Sequence, residues 1–345
     1  MFVCRAAQSR LVRMSESNSP IPASTLEYYQ TLPVAAYRPP RPRYWLHVLL
    51  LLGTFFTTLV MGARMQYNFD HNLPALSIID DSLPYFPANW LFSHPDRLLA
   101  GWPFAAAVML FFLTHEMGHY VCCRLYGIRA TLPFFIPVPT PIGTMGAVIL
   151  IRSRIRSRSA LFDVGIAGPL AGFVVAVALL ILSLSWAKPA VTVANAGDIQ
   201  IGLPIIFHLS HRLLGLIVPL NGTAKLPLSR VLLHPVSIAA WVGMYATALN
   251  LLPSGQLDGG HIVYALTPRV HRVISWLTVV GLAFIGRFNY GWWVWGALIT
   301  VMNIFTLRHE QAPHFPELPE DRWGLALVAA LILFLSFTIS PFQAS

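Results

Sequence analysis

The chain is built around charge-poor apolar runs of roughly 20 residues, the length at which an α-helix crosses the hydrocarbon core of a bilayer. The clearest run, 160–186, carries Asp163 as its single charged side chain. Comparable runs lie near 44–63, 98–122, 235–252, 270–286, 290–306 and 323–340. Charged residues make up 11% of the 345 positions and hydrophobic residues 56%, where a soluble domain shows roughly 25% charged. Too few polar side chains are available to cover a water-facing surface, which excludes a soluble enzyme. The expected fold is an all-α polytopic membrane protein with about six to eight transmembrane helices. The short runs 270–286 and 290–306 read as a helical hairpin, and an amphipathic stretch near 201–220 reads as lying at the outer interface.

The formal net charge of +9 does not point to nucleic acid, because the basic residues are placed by topology. Arg38, Arg41 and Arg43 precede the first apolar run, and Arg152, Arg154, Arg156 and Arg158 alternate through a short loop. That is the positive-inside pattern, with the lipid bilayer as the partner of these loops. The 65–97 loop, with Asp70, Asp80, Asp81 and Asp96, reads as external. The expected product is a multi-pass integral membrane protein whose motif-bearing loops face the cytoplasmic side, or the stromal side in an organelle. Residues 1–43 are polar and Pro-rich and read as a flexible cytoplasmic tail. Residues 44–345 form the transmembrane domain, with its motif-bearing core at about 98–266. The three cysteines, Cys4, Cys122 and Cys123, are odd in number and give no disulfide framework.

One apolar stretch cannot be a straight helix. Residues 132–151 are interrupted by Pro133, Pro137, Pro139, Pro141, Gly143 and Gly146. A re-entrant, partly β loop fits them, since irregular backbone at membrane depth is tolerated where protein or a cavity covers it.

Within the second run stands His115-Glu116-Met117-Gly118-His119. Residues i and i+4 of a helix differ by only about 40° around its axis, so both imidazoles can reach one ion while Glu116 lies beside it. Composition alone produces this pattern in somewhat under roughly one such chain in a hundred. Ionisable groups at membrane depth are expensive and functional by default. Zinc is the expected cofactor, one ion per chain, since imidazole and carboxylate ligands with an open fourth position suit it.

The third ligand must come from elsewhere, and acids are scarce. Asp163 and Asp258 are the aspartates beside apolar core runs on the side of the histidine pair. Asp258 follows Pro253 and Gly255, which break a helix and let a carboxylate point into a cavity. Asp163 sits at the start of a helix near the arginine cluster and reads as structural. Two other histidine clusters do not carry the signal. His309-Glu310 with His314 places the second histidine about 140° off the face, and His208 and His211 lack a nearby acid.

His115–His119, the stretch Asn250-Leu251-Leu252-Pro253-Ser254-Gly255-Gln256-Leu257-Asp258-Gly259, and Gly168-Pro169-Leu170-Ala171-Gly172 together resemble the site-2 protease family of intramembrane zinc metalloproteases. Pro133–Pro137, Gly143–Ala147 and Phe162-Asp163-Val164 are similar to the branch without a PDZ domain, including chloroplast-type homologues. The resemblance implies a zinc metalloendopeptidase that hydrolyses peptide bonds within or near transmembrane segments of membrane-protein substrates, in regulated intramembrane proteolysis. It implies His115, His119 and Asp258 as metal ligands and Glu116 as the catalytic general base. Asn250, Gly143, Thr144, Met145 and Gly146 would bind substrate, the last four by strand addition at the edge of the loop. Without a PDZ-type filter, uncleaved substrates would be excluded by the chain's own helices or by regulatory membrane partners.

Other readings use the same residues. A prenyl-protein endopeptidase takes a Glu as third ligand, yet no Glu lies between Glu116 and Glu310. A metal transporter or a non-catalytic scaffold would use the His/Asp cluster for transit or structure; a transporter should bind zinc reversibly and move it across a bilayer, and Glu116 beside the ligands speaks against the scaffold.

Overall fold

The structure is a computed structural model that describes residues 43–76, 95–155, 157–190, 199–218, 220–306 and 322–344. The tail 1–42, the Asp80–Asp81 part of the acidic loop, Arg156 and the His309, Glu310 and His314 cluster lie outside the described residues.

Helices α1 (Tyr44–Asp70), α2 (Trp102–Leu125) and α3 (Arg158–Leu184) carry the first three apolar runs. The stretches Tyr44–Asp70, Pro95–Leu125 and Arg158–Leu184 are long and apolar enough to cross a membrane. This is the architecture of a helical membrane protein. Helix α1 runs past residue 63 into the segment read as an external loop, because Met65, Asn68 and Phe69 are buried against the rest of the protein.

The Pro- and Gly-rich stretch after α2 forms an antiparallel hairpin of β1 (Phe134–Pro137) and β2 (Thr144–Val148). Phe134 faces Val148 and Phe135 faces Ala147, with a bulge before Pro137 meets Thr144. Its prolines exclude a helix. Gly143, at φ +76°, turns the chain in a conformation that a side chain would strain. Thr57 of α1 donates its hydroxyl to the Gly143 carbonyl at 2.6 Å, which docks the turn on α1.

Beyond α3, β3 (Lys188–Pro189) pairs with β5 (Val231–Leu232), and β4 (Ile199–Ile201) pairs with β6 (Phe342–Ala344). Helix α4 (Ile205–Gly215) occupies the amphipathic stretch, and its 11 residues are too few to cross a bilayer. Helix α5 (Pro235–Asn250) buries Ile238, Ala239, Ala240, Trp241, Val242 and Met244 around its whole circumference. A helix apolar on all sides belongs at the centre of a domain, and α5 packs there against α2 and α3. The core between them is filled by Phe104, Val108, Phe111, Ala176, Leu180 and Trp241.

The expected 235–252 run ends as a helix at Asn250. Pro253 and Gly255, the latter at φ +56°, break it before α6 (Asp258–Leu266) begins. Helices α7 (His271–Ile285) and α8 (Gly291–Thr306) form the expected hairpin, and α9 (Arg322–Ser336) packs on α3 and α5.

The N-terminus of α5 generates a pH prediction. His234 caps it, its Nδ1 accepting from the Val236 N–H at 3.2 Å, with the Phe69 and Trp186 rings packed edge-on around it. Burial holds the His234 pKa down at about 4, from an ordinary 6.5. The unfolded chain therefore takes up the proton more readily than the folded one. The stability that depends on neutral His234 is complete above pH 6.5 and is lost as pH falls from there towards about 4. The melting temperature of detergent-solubilised protein should fall across that window. His234→Asn, which keeps a cap acceptor without a titrating ring, should flatten that part of the profile.

Candidate metal centre

Helix α2 places His115 and His119 one turn apart on its buried side, and α6 presents Asp258 in its first turn. The two Nε2 atoms are 3.2 Å apart. Asp258 Oδ2 lies 3.4 Å from His115 Nε2 and 3.3 Å from His119 Nε2. These three donors form a nearly equilateral triangle, and the residues could hold a metal ion.

The triangle fits zinc. A tetrahedral ion with ligands at about 2.0–2.1 Å needs neighbouring donors roughly 3.3 Å apart. His119 Nδ1 lies 2.7 Å from the Val164 carbonyl. A carbonyl only accepts, so the neutral ring carries its proton on Nδ1 and turns the Nε2 lone pair into the triangle. Lone pairs and a carboxylate converging at this distance repel one another unless a cation lies between them. Two imidazoles and a carboxylate, with a fourth position open, are a catalytic zinc donor set.

Helix α3 forms the wall that holds this arrangement. Val164 orients His119, and Gly168 gives its ring room, since a Cβ there would stand 2.0 Å from His119 Nε2. At the start of α3, Arg158 donates from Nε to the Ala265 carbonyl and from Nη2 to the Leu266 carbonyl, both at 2.7 Å. These are terminal carbonyls of α6, which a guanidinium satisfies and stabilises. At the other end of α6, a Cβ on Gly259 would lie 2.1 Å from the Leu251 carbonyl and one on Gly260 2.4 Å from the Gly255 carbonyl. The Asp-Gly-Gly order is thus required for the connection to fold back on the turn that carries Asp258.

Glu116 is buried beside the triangle without belonging to it, and its carboxylate lies near the Ile149 N–H just past β2. Asn250, the last residue of α5, places Nδ2 3.3 Å from His115 Nε2. His115 Nδ1 is buried with no hydrogen-bond partner, and Gly172 faces it where a Cβ would lie 3.0 Å away.

The structure thus brings together His115, Glu116, His119, Asn250 and Asp258. The four hairpin positions divide. Met145 is exposed, Thr144 is fully buried with its hydroxyl donating to the Ile136 carbonyl at 2.9 Å, Gly143 lies against α1, and Gly146 lies against the Phe112 ring. Asp163 is paired with Arg322 of α9 at 2.9 Å, and Tyr126 also donates to it. Cys123 packs among Ile128, Ala160 and Val164, outside the donor cluster. His211 is buried, while His208 lines an apolar groove with Leu252 and Phe334. Val164, Arg158 and Ile149 were not legible as site residues. Two of them act through backbone groups, and Arg158 reads in sequence as one more topology-setting arginine.

Gly168→Ala tests the α3 wall. The added methyl must displace the His119 ring, so the purified variant should lose most of its bound zinc, measured by metal analysis, while every donor side chain is still present. An undiminished zinc content would show that His119 does not need this position.

A family model described as Peptidase family M50 matches residues 103–286. The probable zinc metalloprotease EGY1, chloroplastic, of Arabidopsis thaliana is 28% identical over 313 residues, which are 87% of this chain and 53% of that protein. The probable zinc metalloprotease EGY2, chloroplastic, of the same plant is 30% identical over 276 residues, 79% of this chain and 46% of the relative. Its counterpart in Oryza sativa subsp. japonica is 31% identical over 231 residues, 66% of this chain and 40% of the relative. The chain spans about half the length of these relatives. Residues 103–286 are more than half of the sequence and include all three converging donors, and on that match the chain belongs to peptidase family M50, the site-2 protease family of zinc metalloproteases.

Proposed function

We propose that the chain is an intramembrane zinc metalloprotease that hydrolyses peptide bonds within or beside the transmembrane helices of membrane-protein substrates. The observation that carries this reading is that two of the three converging donors and a separate buried carboxylate, Glu116, stand on α2, a helix long and apolar enough to span a bilayer, with Asp258 of α6 closing the triangle. His115, His119 and Asp258 are the proposed zinc ligands. Bound zinc supplies a Lewis acid that acidifies water and polarises a carbonyl oxygen.

The remaining work falls to the chain's own residues. Glu116 stands next to the ligands without being one of them, so its carboxylate is free to take a proton from the attacking water and pass it to the leaving amine. Asn250 holds an amide N–H beside the triangle, where it stabilises the negative charge that develops on the carbonyl oxygen.

A substrate helix hides its carbonyls in its own hydrogen bonds, so it must unwind before attack. The β1–β2 hairpin, read as a re-entrant element, offers an edge for the unwound segment to pair with. Met145, exposed on β2, would contact it, and the buried Thr144 would brace the strand. The shorter helices α7, α8 and α9 complete a proposed set of six to eight crossings. The arginine loop between β2 and α3 puts the site towards the cytoplasmic side, or the stromal side in the organelle that the chloroplastic relatives suggest. Regulated intramembrane proteolysis, with membrane partners that select substrates, is the proposed setting.

Glu116→Gln separates chemistry from metal binding. The purified variant should bind zinc as the wild type does and cleave a transmembrane reporter at least roughly 10²-fold more slowly. Cleavage at the wild-type rate would refute the assignment of Glu116, and zinc transport into proteoliposomes by the wild type would favour a transporter.

A further inference from the structure

A second buried polar cluster lies behind the turn that carries Asp258. Ser254 of the α5–α6 connection and Ser275 of α7 are fully buried, Asn303 of α8 is 1% exposed, and His271 of α7 is also buried. Asn303 Nδ2 donates to Ser254 Oγ at 3.2 Å and approaches the Ser275 carbonyl at 3.5 Å. Ser254 Oγ donates to that same carbonyl at 3.2 Å. The Gly255 N–H donates to Ser275 Oγ at 3.2 Å, and His271 Nε2 lies 3.5 Å from the same hydroxyl. Thr278 of α7 reaches the Pro253 carbonyl at 3.4 Å. The cluster therefore ties three consecutive residues of the connection, Pro253, Ser254 and Gly255, to the α7–α8 hairpin. Helix α8 is otherwise strongly apolar, with Trp293, Val294, Leu298, Val301 and Phe305 exposed. An amide buried in such a helix is costly unless it is hydrogen-bonded. Asn303 also lies beyond the residues matched by the family model.

The contact surfaces carry this tie forward to the metal centre. Gly255, at φ +56°, sits so close that a Cβ would lie 2.8 Å from Asn303 Oδ1. On its other side, Gly260 packs on the carbonyls of Ser254 and Gly255, with Cβ distances of 2.6 and 2.4 Å. Gly260 is in the same helical turn as Asp258. The Met302 side chain also packs on Gly255, but from Ser254 and Gly255 to Gly260 the contact is backbone on backbone, so a shift of Ser254 or Gly255 moves the first turn of α6. The far end of α6 is fixed independently by Arg158. Loss of the cluster should therefore loosen the Asp258 end and leave the rest of the helix in place.

We propose that Asn303 is a positioning residue that, with Ser254 and Ser275, latches the α5–α6 connection to the α7–α8 hairpin and so holds Asp258 against His115 and His119. This rests on Asp258 being the third zinc ligand. Asn303→Leu removes the amide while keeping the branching of the side chain. Partners of this outer shell typically change metal affinity 10- to 100-fold, so the variant should bind zinc about 10-fold more weakly. The same loss is expected in the double variant Ser254→Ala/Asn303→Leu, because the two residues act through one contact.

The test is chelator competition for zinc on full-length, detergent-solubilised protein whose helicity matches the wild type. Ser237→Ala is the control. It removes an equally buried hydrogen bond, from Ser237 Oγ to Ser183 Oγ at 2.8 Å, and should leave zinc affinity unchanged. Weakening in Asn303→Leu but not in Ser237→Ala supports the latch. Wild-type affinity in Asn303→Leu, or equal weakening in both, overturns it. If Asn303→Leu does not fold, Ser275→Ala decides, with about 5-fold weaker binding in support and no change against. Asp258→Ala separates the two levels, since wild-type zinc affinity there removes the ligand assignment itself, whereas loss there with none in the Asn303 variant removes the latch alone.

Discussion

Two imidazole lone pairs and a carboxylate oxygen converge within 3.2–3.4 Å of one another inside an apolar helical domain. Charges and lone pairs so crowded need a proton or a metal cation between them, their spacing fits zinc, and most of the surrounding structure serves to keep them there. Helix α3 is the common wall. It orients one histidine through a backbone carbonyl, leaves room for its ring at a glycine, and caps the helix that bears the aspartate with an arginine. The aspartate and the histidines come from segments more than a hundred residues apart, so no local propensity could have set their distance. The precision comes from packing against a shared third element.

The same logic explains why the chain departs from regular helix where it does. A straight helix from Pro235 onward would carry Asp258 past the histidines. The break after Asn250 ends α5 beside His115 and restarts the chain with Asp258 in a first turn, where a carboxylate suits the helix dipole. Pro253, Gly255, Gly259 and Gly260 are the residues that make so tight a reversal possible. The hairpin after α2 is a second break, and the residue that trails it, Ile149, brings its backbone N–H near Glu116. Both breaks are held by neighbouring helices: Thr57 of α1 bonds the hairpin turn and Ser275 of α7 bonds the α5–α6 connection.

How much of this the sequence discloses follows from the range of each interaction. His115 and His119 share one helical turn, so their convergence is legible from spacing alone. Asp258 stands out because acids are rare and because proline and glycine announce a break. Helix positions follow the apolar runs closely, apart from α1, whose last turns look like loop in sequence but are buried by contacts elsewhere in the fold. Asp163 shows the limit. Its charge suggests a partner among the arginines just before it, whereas the fold supplies Arg322, 159 residues away. Val164 acts through a carbonyl that every residue has, and Asn303 looks in sequence like a lone polar residue in an apolar run. Neither can be recognised until the fold places it.

Zinc K-edge X-ray absorption on the purified protein tests the donor triangle most directly. The expected spectrum has a first shell of nitrogen and oxygen scatterers at about 2.0–2.1 Å, with the outer-shell signature of two imidazoles. It should lose its wild-type form in Asp258→Asn. A sulfur shell near 2.3 Å, such as Cys122 or Cys123 would produce, or a spectrum indifferent to Asp258, would contradict the assignment.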